Sequence, residues 1–124
     1  MQPRSLTYEQ VSLIADELGA VVRNSALLHS ALARPLASAA GADAYPSLEE
    51  RVGALLISLA ENQPYLDGNK RVAYVATATL LRLHGWQLTA DTESVLELMR
   101  MLRRLSVSQV AEWLRLHREA IAPS

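Results

Sequence analysis

Apolar residues recur at spacings of three and four along most of the chain, which is the pattern of amphipathic helices. Thr7 and Gln10 have the spacing of a capping box at the start of the first one. The apolar face behind them comprises Val11, Ile14, Ala15, Leu18 and Val22. A second face runs from Leu27 to Leu32 and is stopped by Pro35. The segment 37–44 is rich in small residues, and we expect it to be a loop.

The two most apolar helices are predicted at the middle of the chain, where they should form the buried centre. Ser47 and Glu50 form a second possible capping box, and the helix behind them should end before Pro64. The next helix starts in a charged cluster, where Asp67 is a candidate N-cap, and Gly85 suits its C-terminal end. The loop between these helices is therefore expected to lie on a rigid scaffold.

Helical spacing continues beyond a short extended link at residues 86–90. It resumes near Thr92, and Ser106 with Gln109 opens a last helix. No stretch alternates convincingly enough to predict a strand. The predicted fold class is all-α, a compact bundle of about six helices in a single domain over residues 1–124, with the candidate active-site loop between the two central helices.

Composition excludes several classes of site and of binding partner. The formal net charge is −1, so no long-range field favours a nucleic acid or an anionic membrane. The chain has no cysteine, which excludes disulfides, thiolate catalysis and cysteine-ligated metals and fits a reducing cytosol. No signal peptide follows Met1, and the apolar runs are too short to span a membrane. We therefore expect a cytoplasmic protein.

The candidate chemistry is concentrated in five consecutive residues, Asp67-Gly68-Asn69-Lys70-Arg71. They stand at a predicted helix start, where free backbone N–H groups and the helix dipole favour an anion. Two side-chain cations suit phosphate oxygens, and the carboxylate suits a metal ion. The segment therefore predicts a site that handles phosphate.

The stretch from Asn62 to Ala73 resembles the core motif of the Fic/Doc family in its Doc (death-on-curing) form, His-x-Phe-x-Asp-(Gly/Ala)-Asn-Lys-Arg. The likeness covers nearly the whole chain. Leu27–Pro35 is similar to the family's upstream flap segment, residues 45–50 to the start of its central helix, and residues 106–114 to its C-terminal helix.

The resemblance implies an all-helical transferase that uses ATP and modifies a hydroxyl of a target protein. Most Fic proteins transfer AMP, whereas Doc-type toxins transfer the γ-phosphate to a threonine of elongation factor Tu and block translation. A small Phd-type antitoxin holds such toxins in check. The expected cofactors are therefore Mg²⁺ and ATP as co-substrate, and the expected partners are a Phd-like antitoxin and elongation factor Tu.

Family roles carry over to the matching positions. Asp67 matches the carboxylate that holds Mg²⁺, and Gly68 leaves room for the backbone to approach a phosphate. Asn69 matches the asparagine beside the nucleotide phosphates, and Arg71 matches the arginine that binds phosphate oxygens. Lys70 is the Doc-type residue, where many AMP-transferring members have glycine.

The residue at position 74 bears on whether phosphate or AMP is transferred. AMP-transferring members often carry a second arginine three residues after the first, and here that position is Tyr74. With Lys70, this favours phosphate transfer over the alternative of AMP transfer.

Gln63 occupies the position of the motif histidine, the general base that takes the proton from the target hydroxyl. A carboxamide can orient a hydroxyl but cannot accept its proton, so we expect a loss of about 10²–10⁴-fold in rate. Gln63 is either natural, in a decayed or repurposed site, or an engineered replacement. For the function, an alternative to the enzyme is a silent binding module that engages an antitoxin. Tyr65 replaces the motif phenylalanine and should fill the same apolar pocket.

Other polar residues have ordinary structural interpretations. We expect His29 at an exposed helix position, His84 at the negative end of a helix dipole, and His117 in solvent. The arginines near the C-terminus are expected to form a solvated face paired with Glu97, Glu112 and Glu119: Arg100, Arg103, Arg104, Arg115 and Arg118. The alternative is a contact surface for an acidic antitoxin segment or a target protein. Trp86 and Trp113 should pack in or near the core.

Overall fold

The computed structural model describes residues 3–122 and folds them into six α-helices with two small pairs of strands. The helices are α1 Tyr8–Glu17, α2 Ser25–Ala33, α3 Leu48–Asn62, α4 Asn69–Leu83, α5 Thr92–Met101 and α6 Val107–Leu116. Single 3-10 turns, Arg34–Leu36 and Leu102–Arg104, follow α2 and α5. The all-α class with six helices is confirmed. The ends of the single domain proposed for residues 1–124 lie outside the described residues.

The predicted capping boxes are present at the starts of α1, α3 and α6. In each, a hydroxyl accepts from the backbone N–H three residues on, at 3.1 Å: Thr7 from Gln10, Ser47 from Glu50, and Ser106 from Gln109. The side chain at the third position bonds back to the cap's N–H, so two donors left free at the helix start are satisfied.

The first helix is shorter than its apolar pattern predicts. The pattern runs on to Val22, but α1 ends at Glu17 because Gly19 adopts a left-handed φ of 73°, which the helix cannot continue through. The chain beyond is extended, and Val22 forms an isolated antiparallel bridge with Tyr65. This misprediction matters, because the segment released from the helix supports the candidate site.

Helix α3 lies at the centre of the core and packs against α2, α4 and α6. Its residues from Val52 to Leu59 are all buried. At Gly53 the backbone of α6 comes close: a Cβ there would lie 3.3 Å from Val110 Cγ1 and 3.4 Å from the Val107 carbonyl oxygen. The prediction that α3 and α4 form the buried centre is confirmed, since Val72, Ala73, Ala76 and Leu80 of α4 are also buried.

The expectation of no strands is wrong in two places. The small-residue segment forms a hairpin of β1 (Ser38–Ala39) and β2 (Ala42–Asp43). The link after α4 forms β3 (Trp86–Leu88), which pairs antiparallel with β4 (Arg118–Ala120). Strands of two or three residues are too short to show alternation, and the partner of β3 lies far along the chain, so local patterns miss both pairs.

Part of the predicted solvated arginine face lies against the core. Glu49, only 8% exposed, accepts from Arg118 Nη1 at 2.8 Å and from Arg115 Nε at 3.3 Å. The Arg118 guanidinium also stacks over Trp86, 3.8 Å from the ring centroid. The expected pairs with Glu97 and Glu112 do form, whereas Glu119 instead accepts from Gln87. The C-terminal strand is thereby tied to the first turn of α3.

Within residues 3–122, no helix combines the length and the apolar character that crossing a bilayer requires.

Candidate active site

The loop between α3 and α4 has a sharply bent start. Gln63, the residue at the motif-histidine position, is the C-cap of α3 and adopts left-handed angles of φ 49° and ψ 57°. This conformation is uncommon for a residue with a Cβ, and it turns the chain away from the helix axis. Pro64 and Tyr65 behind it are buried, while Gln63, Leu66 and Asp67 are exposed.

The segment Val21–Asn24, released from α1, holds this loop from behind. The Leu66 N–H donates to the Val21 carbonyl at 2.9 Å, and the Arg23 N–H donates to the Pro64 carbonyl at 2.7 Å. The Arg23 guanidinium donates twice to the Gln63 carbonyl, from Nη2 at 2.7 Å and Nε at 3.2 Å. We call this set of contacts the Arg23 clamp. Sequence reasoning missed it, because the partners are 40 residues apart and no local pattern marks Arg23.

Asn69 closes the loop from the other side. Its Oδ1 accepts from the Tyr65 N–H at 2.9 Å, and its Nδ2 donates to the Tyr65 carbonyl at 3.0 Å. The side-chain amide is therefore engaged in fixing the loop shape. Towards a bound anion, Asn69 can still offer its backbone N–H at the helix start.

The start of α4 exposes backbone donors, but its cap differs from the prediction. The N-cap is Gly68, at a left-handed φ of 78°, and the Asp67 Oδ1 accepts from the Gly68 N–H at 2.8 Å rather than capping the helix. The first bond along the helix runs from the Val72 N–H to the Gly68 carbonyl at 2.9 Å. The N–H groups of Asn69, Lys70 and Arg71 therefore have no acceptor within the helix.

These elements enclose a cleft of about 670 Å³, which we call the main cleft. It brings together all the site residues proposed from sequence: Gln63, Asp67, Gly68, Asn69, Lys70 and Arg71. Its remaining walls are largely apolar, and sequence reasoning assigned none of them to the site: Ala60, Leu66, Tyr74, Val75, Val95, Leu96 and Met99. Three of these residues come from α5, for which the apolar spacing predicted a helix but no role in the site.

A second cavity of about 560 Å³, the side lobe, adjoins the main cleft. Gln63 and Lys70 line both spaces. The rest of the side lobe is formed by Ala60, Glu61, Met99, Arg100, Leu102 and Arg103. Two arginines from the expected solvated face thus border the candidate site.

Tyr65 fills the loop's apolar pocket as predicted, with 1% of its surface exposed. Its hydroxyl has no hydrogen-bond partner among residues 3–122. Burial, together with the nearby Tyr8 and Asp16, raises the pKa of the Tyr65 hydroxyl to about 12. Burial also raises the pKa of Tyr74, at the edge of the main cleft. Neither phenol is suited to proton transfer near neutral pH.

The capacity for a metal ion rests on one carboxylate. Within residues 3–122, no group of three or more His, Asp or Glu side chains could hold a metal by itself. Asp67 is exposed, and among residues 3–122 only its Oδ1 forms a hydrogen bond, so Oδ2 is available as a ligand. Mg²⁺ commonly takes one or two carboxylates and completes its shell with phosphate oxygens and water, so Asp67 fits a metal that arrives with a nucleotide.

Several sequence candidates lie away from the site. No histidine lines either space. His29 is exposed and stacks on Tyr8, His84 bonds to the Pro3 carbonyl, and His117 stacks on Trp113. The flap-like segment Leu27–Pro35 forms α2 and the turn behind it and lines neither space, although Arg34 pairs with Glu61 at 3.8 Å.

Comparison with known proteins identifies the family of this chain. The model of the Fic/DOC family matches residues 5–81, more than half of the chain. The protein named Toxin Doc from Mycolicibacterium smegmatis is 51% identical over 70 residues, which are 56% of this chain and 54% of that protein. The chain thus matches about half the length of this curated relative. No solved structure matches. With the motif at the start of α4 and the match over residues 5–81, the chain belongs to the Fic/DOC family.

Proposed function

We propose that this chain is a Doc-like toxin that transfers the γ-phosphate of Mg–ATP to a protein hydroxyl, and that Gln63 impairs the transfer. One observation carries the proposal: the main cleft gathers an unpaired helix start, two cations, a free carboxylate oxygen and the motif-histidine position around one space. Its volume of about 670 Å³ is within the range of small-molecule sites.

The phosphates would lie at the start of α4. The N–H groups of Asn69, Lys70 and Arg71 supply donors, and the helix dipole adds positive potential there. Lys70 and Arg71 are exposed, and neither has an ion-pair partner among residues 3–122, so both are available to phosphate oxygens. The apolar wall formed by Val75, Val95 and Met99 suits the less polar part of a nucleotide.

Asp67 would hold Mg²⁺ through Oδ2. The metal would neutralise charge on the phosphates during transfer. The bond from the Gly68 N–H to Oδ1 fixes the carboxylate in place without occupying the second oxygen. Asp67 is therefore the residue on which nucleotide binding should depend most.

Gln63 would meet the acceptor hydroxyl. In the reaction, the hydroxyl oxygen forms a bond to the γ-phosphorus, the bond from that phosphorus to the leaving oxygen breaks, and ADP departs. The hydroxyl proton must go to a base, and the Gln63 amide cannot take it, so it would pass to water. Gln63 can orient the hydroxyl by a hydrogen bond, which leaves positioning intact and removes base catalysis.

Phosphate transfer is favoured over AMP transfer by the charges along the cleft. Lys70 adds a cation beside Arg71, and the half-buried Tyr74 adds none at the position of the second family arginine. The similarity to the protein named Toxin Doc supports a toxin role. From the family resemblance we infer a Phd-like antitoxin as partner, elongation factor Tu as target and a cytoplasmic location.

The decisive test is transfer of label from γ-labelled ATP to purified elongation factor Tu, with the chain and its Gln63→His variant run in parallel. We expect the histidine variant to transfer label about 10²–10⁴ times faster, the usual contribution of a general base. Adding Asp67→Asn to the histidine variant should abolish the transfer. Label transferred from α-labelled ATP would instead identify AMP transfer.

Nucleotide binding separates an impaired enzyme from a silent binding module. We expect Mg–ATP to bind the unaltered chain, measured by calorimetry, because Gln63 is the only core-motif position where a chemical group needed for catalysis is missing. If Mg–ATP gives no heat at millimolar concentration and the histidine variant transfers no label, the enzyme proposal is wrong. Co-purification with an antitoxin that does not depend on Asp67 would then support the binding module.

A further inference from the structure

The side lobe has a charge pattern that the phosphate-transfer chemistry does not use. It carries three cations, Lys70, Arg100 and Arg103, against one carboxylate, Glu61. Glu61 already pairs with Arg34, at 3.8 Å. Arg100 pairs only with the exposed Glu97, at 3.3 Å, and Arg103 has no ion-pair partner among residues 3–122. The lobe therefore presents an excess of positive charge to a ligand.

Its position connects the lobe to the acceptor hydroxyl. Gln63 lines both the side lobe and the main cleft, so a chain that places a hydroxyl at Gln63 can continue into the lobe. Arg100 and Arg103 lie beyond residue 81, the last residue that the family model matches. These arginines are therefore a feature of this chain outside the matched part of the family.

The lining of the lobe favours a polypeptide over a second phosphate. A phosphate would engage only the cations and leave the apolar residues of the lobe uncovered. A peptide can place acidic side chains against Arg100 and Arg103 and also cover those apolar residues. Ala60, Met99 and Leu102 give it an apolar floor.

We propose that the side lobe selects the acceptor segment, and that it binds a peptide with acidic residues flanking the reactive hydroxyl. This proposal rests on the proposed function for the location of the hydroxyl. Arg100 and Arg103 are specificity residues that pair with carboxylates of the acceptor, while Lys70 lies between the acceptor and the phosphates.

The test uses the whole chain and a fluorescent peptide with one threonine flanked by glutamates, followed by anisotropy at low salt. A matched peptide carries glutamines instead. The variant is Arg100→Gln with Arg103→Gln. Its control is Arg104→Gln, since Arg104 is an exposed neighbour that lines neither space. The Arg100 side chain is 62% exposed and Arg103 is also exposed, so these changes should leave the fold intact.

We expect the double variant to bind the glutamate peptide about tenfold more weakly, as the loss of two exposed ion pairs implies. The control variant Arg104→Gln should change the affinity for the glutamate peptide by less than about twofold. The glutamine peptide should bind weakly, with the same affinity for the unaltered chain and for the double variant. Equal losses in variant and control, or equal binding of both peptides, would overturn the proposal.

A second measurement separates this inference from the proposed function. Mg–ATP affinity, measured by calorimetry, should be the same in the double variant and in the unaltered chain. If Mg–ATP affinity falls and peptide affinity does not, the lobe belongs to the phosphate site and the proposal is wrong. If Mg–ATP binds neither protein but the peptide result holds, the proposed function fails while the ligand class of the lobe stands.

Discussion

Tyr65 shows how a single atom distinguishes this chain from the family pattern. Its ring fills the pocket that a phenylalanine would fill, but the hydroxyl is buried and unpaired within the described residues. A buried polar group without a partner costs about 1–3 kcal/mol of stability, so the hydroxyl opposes the contribution of the ring. The replacement for phenylalanine could be read from the sequence, whereas the missing partner could not.

Replacing Tyr65 by phenylalanine should raise the free energy of unfolding by about 1 kcal/mol, because the unpaired hydroxyl is removed and the ring remains. Urea unfolding measures the change. Tyr45→Phe is the matched control, since it removes a hydroxyl that accepts from Arg34 Nε at 3.4 Å and should stabilise nothing. A loss of stability in Tyr65→Phe would mean that the hydroxyl has a partner.

The same substitution should change the response to alkaline pH. The pKa of Tyr65 is about 12 in the folded protein, above the ordinary value of 10.0, so the folded state holds this proton more tightly than the unfolded chain. The free energy of unfolding is unaffected by this proton below pH 10. It falls as the pH rises from 10 towards 12, because the unfolded chain loses the Tyr65 proton before the folded protein does. The advantage of Tyr65→Phe should therefore grow above pH 10, as measured by urea unfolding across that range; a constant difference would contradict the assignment.

At the scale of the element, the Arg23 clamp links the end of α1 to the candidate site. It satisfies the carbonyls of Gln63 and Pro64, which the left-handed turn would otherwise leave exposed at a helix end. The loop shape thus depends on a segment that apolar periodicity assigned to a helix. Only the φ of Gly19 and the resulting extended chain bring Arg23 within reach.

Arg23→Met should loosen the loop more than it destabilises the protein. Two hydrogen bonds from an exposed guanidinium are lost, so we expect the free energy of unfolding to fall by about 1 kcal/mol. Exchange of the Leu66 amide, which bonds to the Val21 carbonyl, should become faster. Arg104→Met is the control and should leave this exchange unchanged. Unaltered exchange in the Arg23 variant would show that the backbone contacts hold the loop alone.

At the scale of the whole molecule, Glu49 joins the central helix α3 to the C-terminal end of the described fold. Its carboxylate lies in the first turn of α3 and pairs with Arg115 on α6 and Arg118 on β4. The C-terminal strand in turn pairs with β3, directly after α4. This network fixes α6 against the central helix, where Gly53 allows close packing.

Glu49→Gln should lower the free energy of unfolding by about 2 kcal/mol, less than for a fully buried pair because the arginines are partly exposed. Glu112→Gln removes the second carboxylate that pairs with Arg115 among residues 3–122, but Glu112 is 62% exposed. That control should cost less than about 0.5 kcal/mol. Thermal unfolding of both variants provides the measurement, and equal effects would mean that burial of Glu49 adds nothing.

The sequence by itself determined the helical class, the three capping boxes and the residues that match the family motif. These features depend on neighbours within one turn of helix or on a contiguous stretch, so local spacing is enough to predict them. The resemblance to the family motif also predicted that Gln63 stands at the position of the motif histidine.

Only the tertiary structure decided how those residues become a site. The Arg23 clamp, the apolar wall from α5, the side lobe with Arg100 and Arg103, and the pairing of β3 with β4 all join segments far apart in the chain. Such contacts form when the apolar faces of helices pack together, and a periodic pattern shows which face is buried but not which segment covers it. The motif residues could therefore be identified from the sequence, whereas the contacts that support their loop and the adjoining charged cavity depend on how the helices pack.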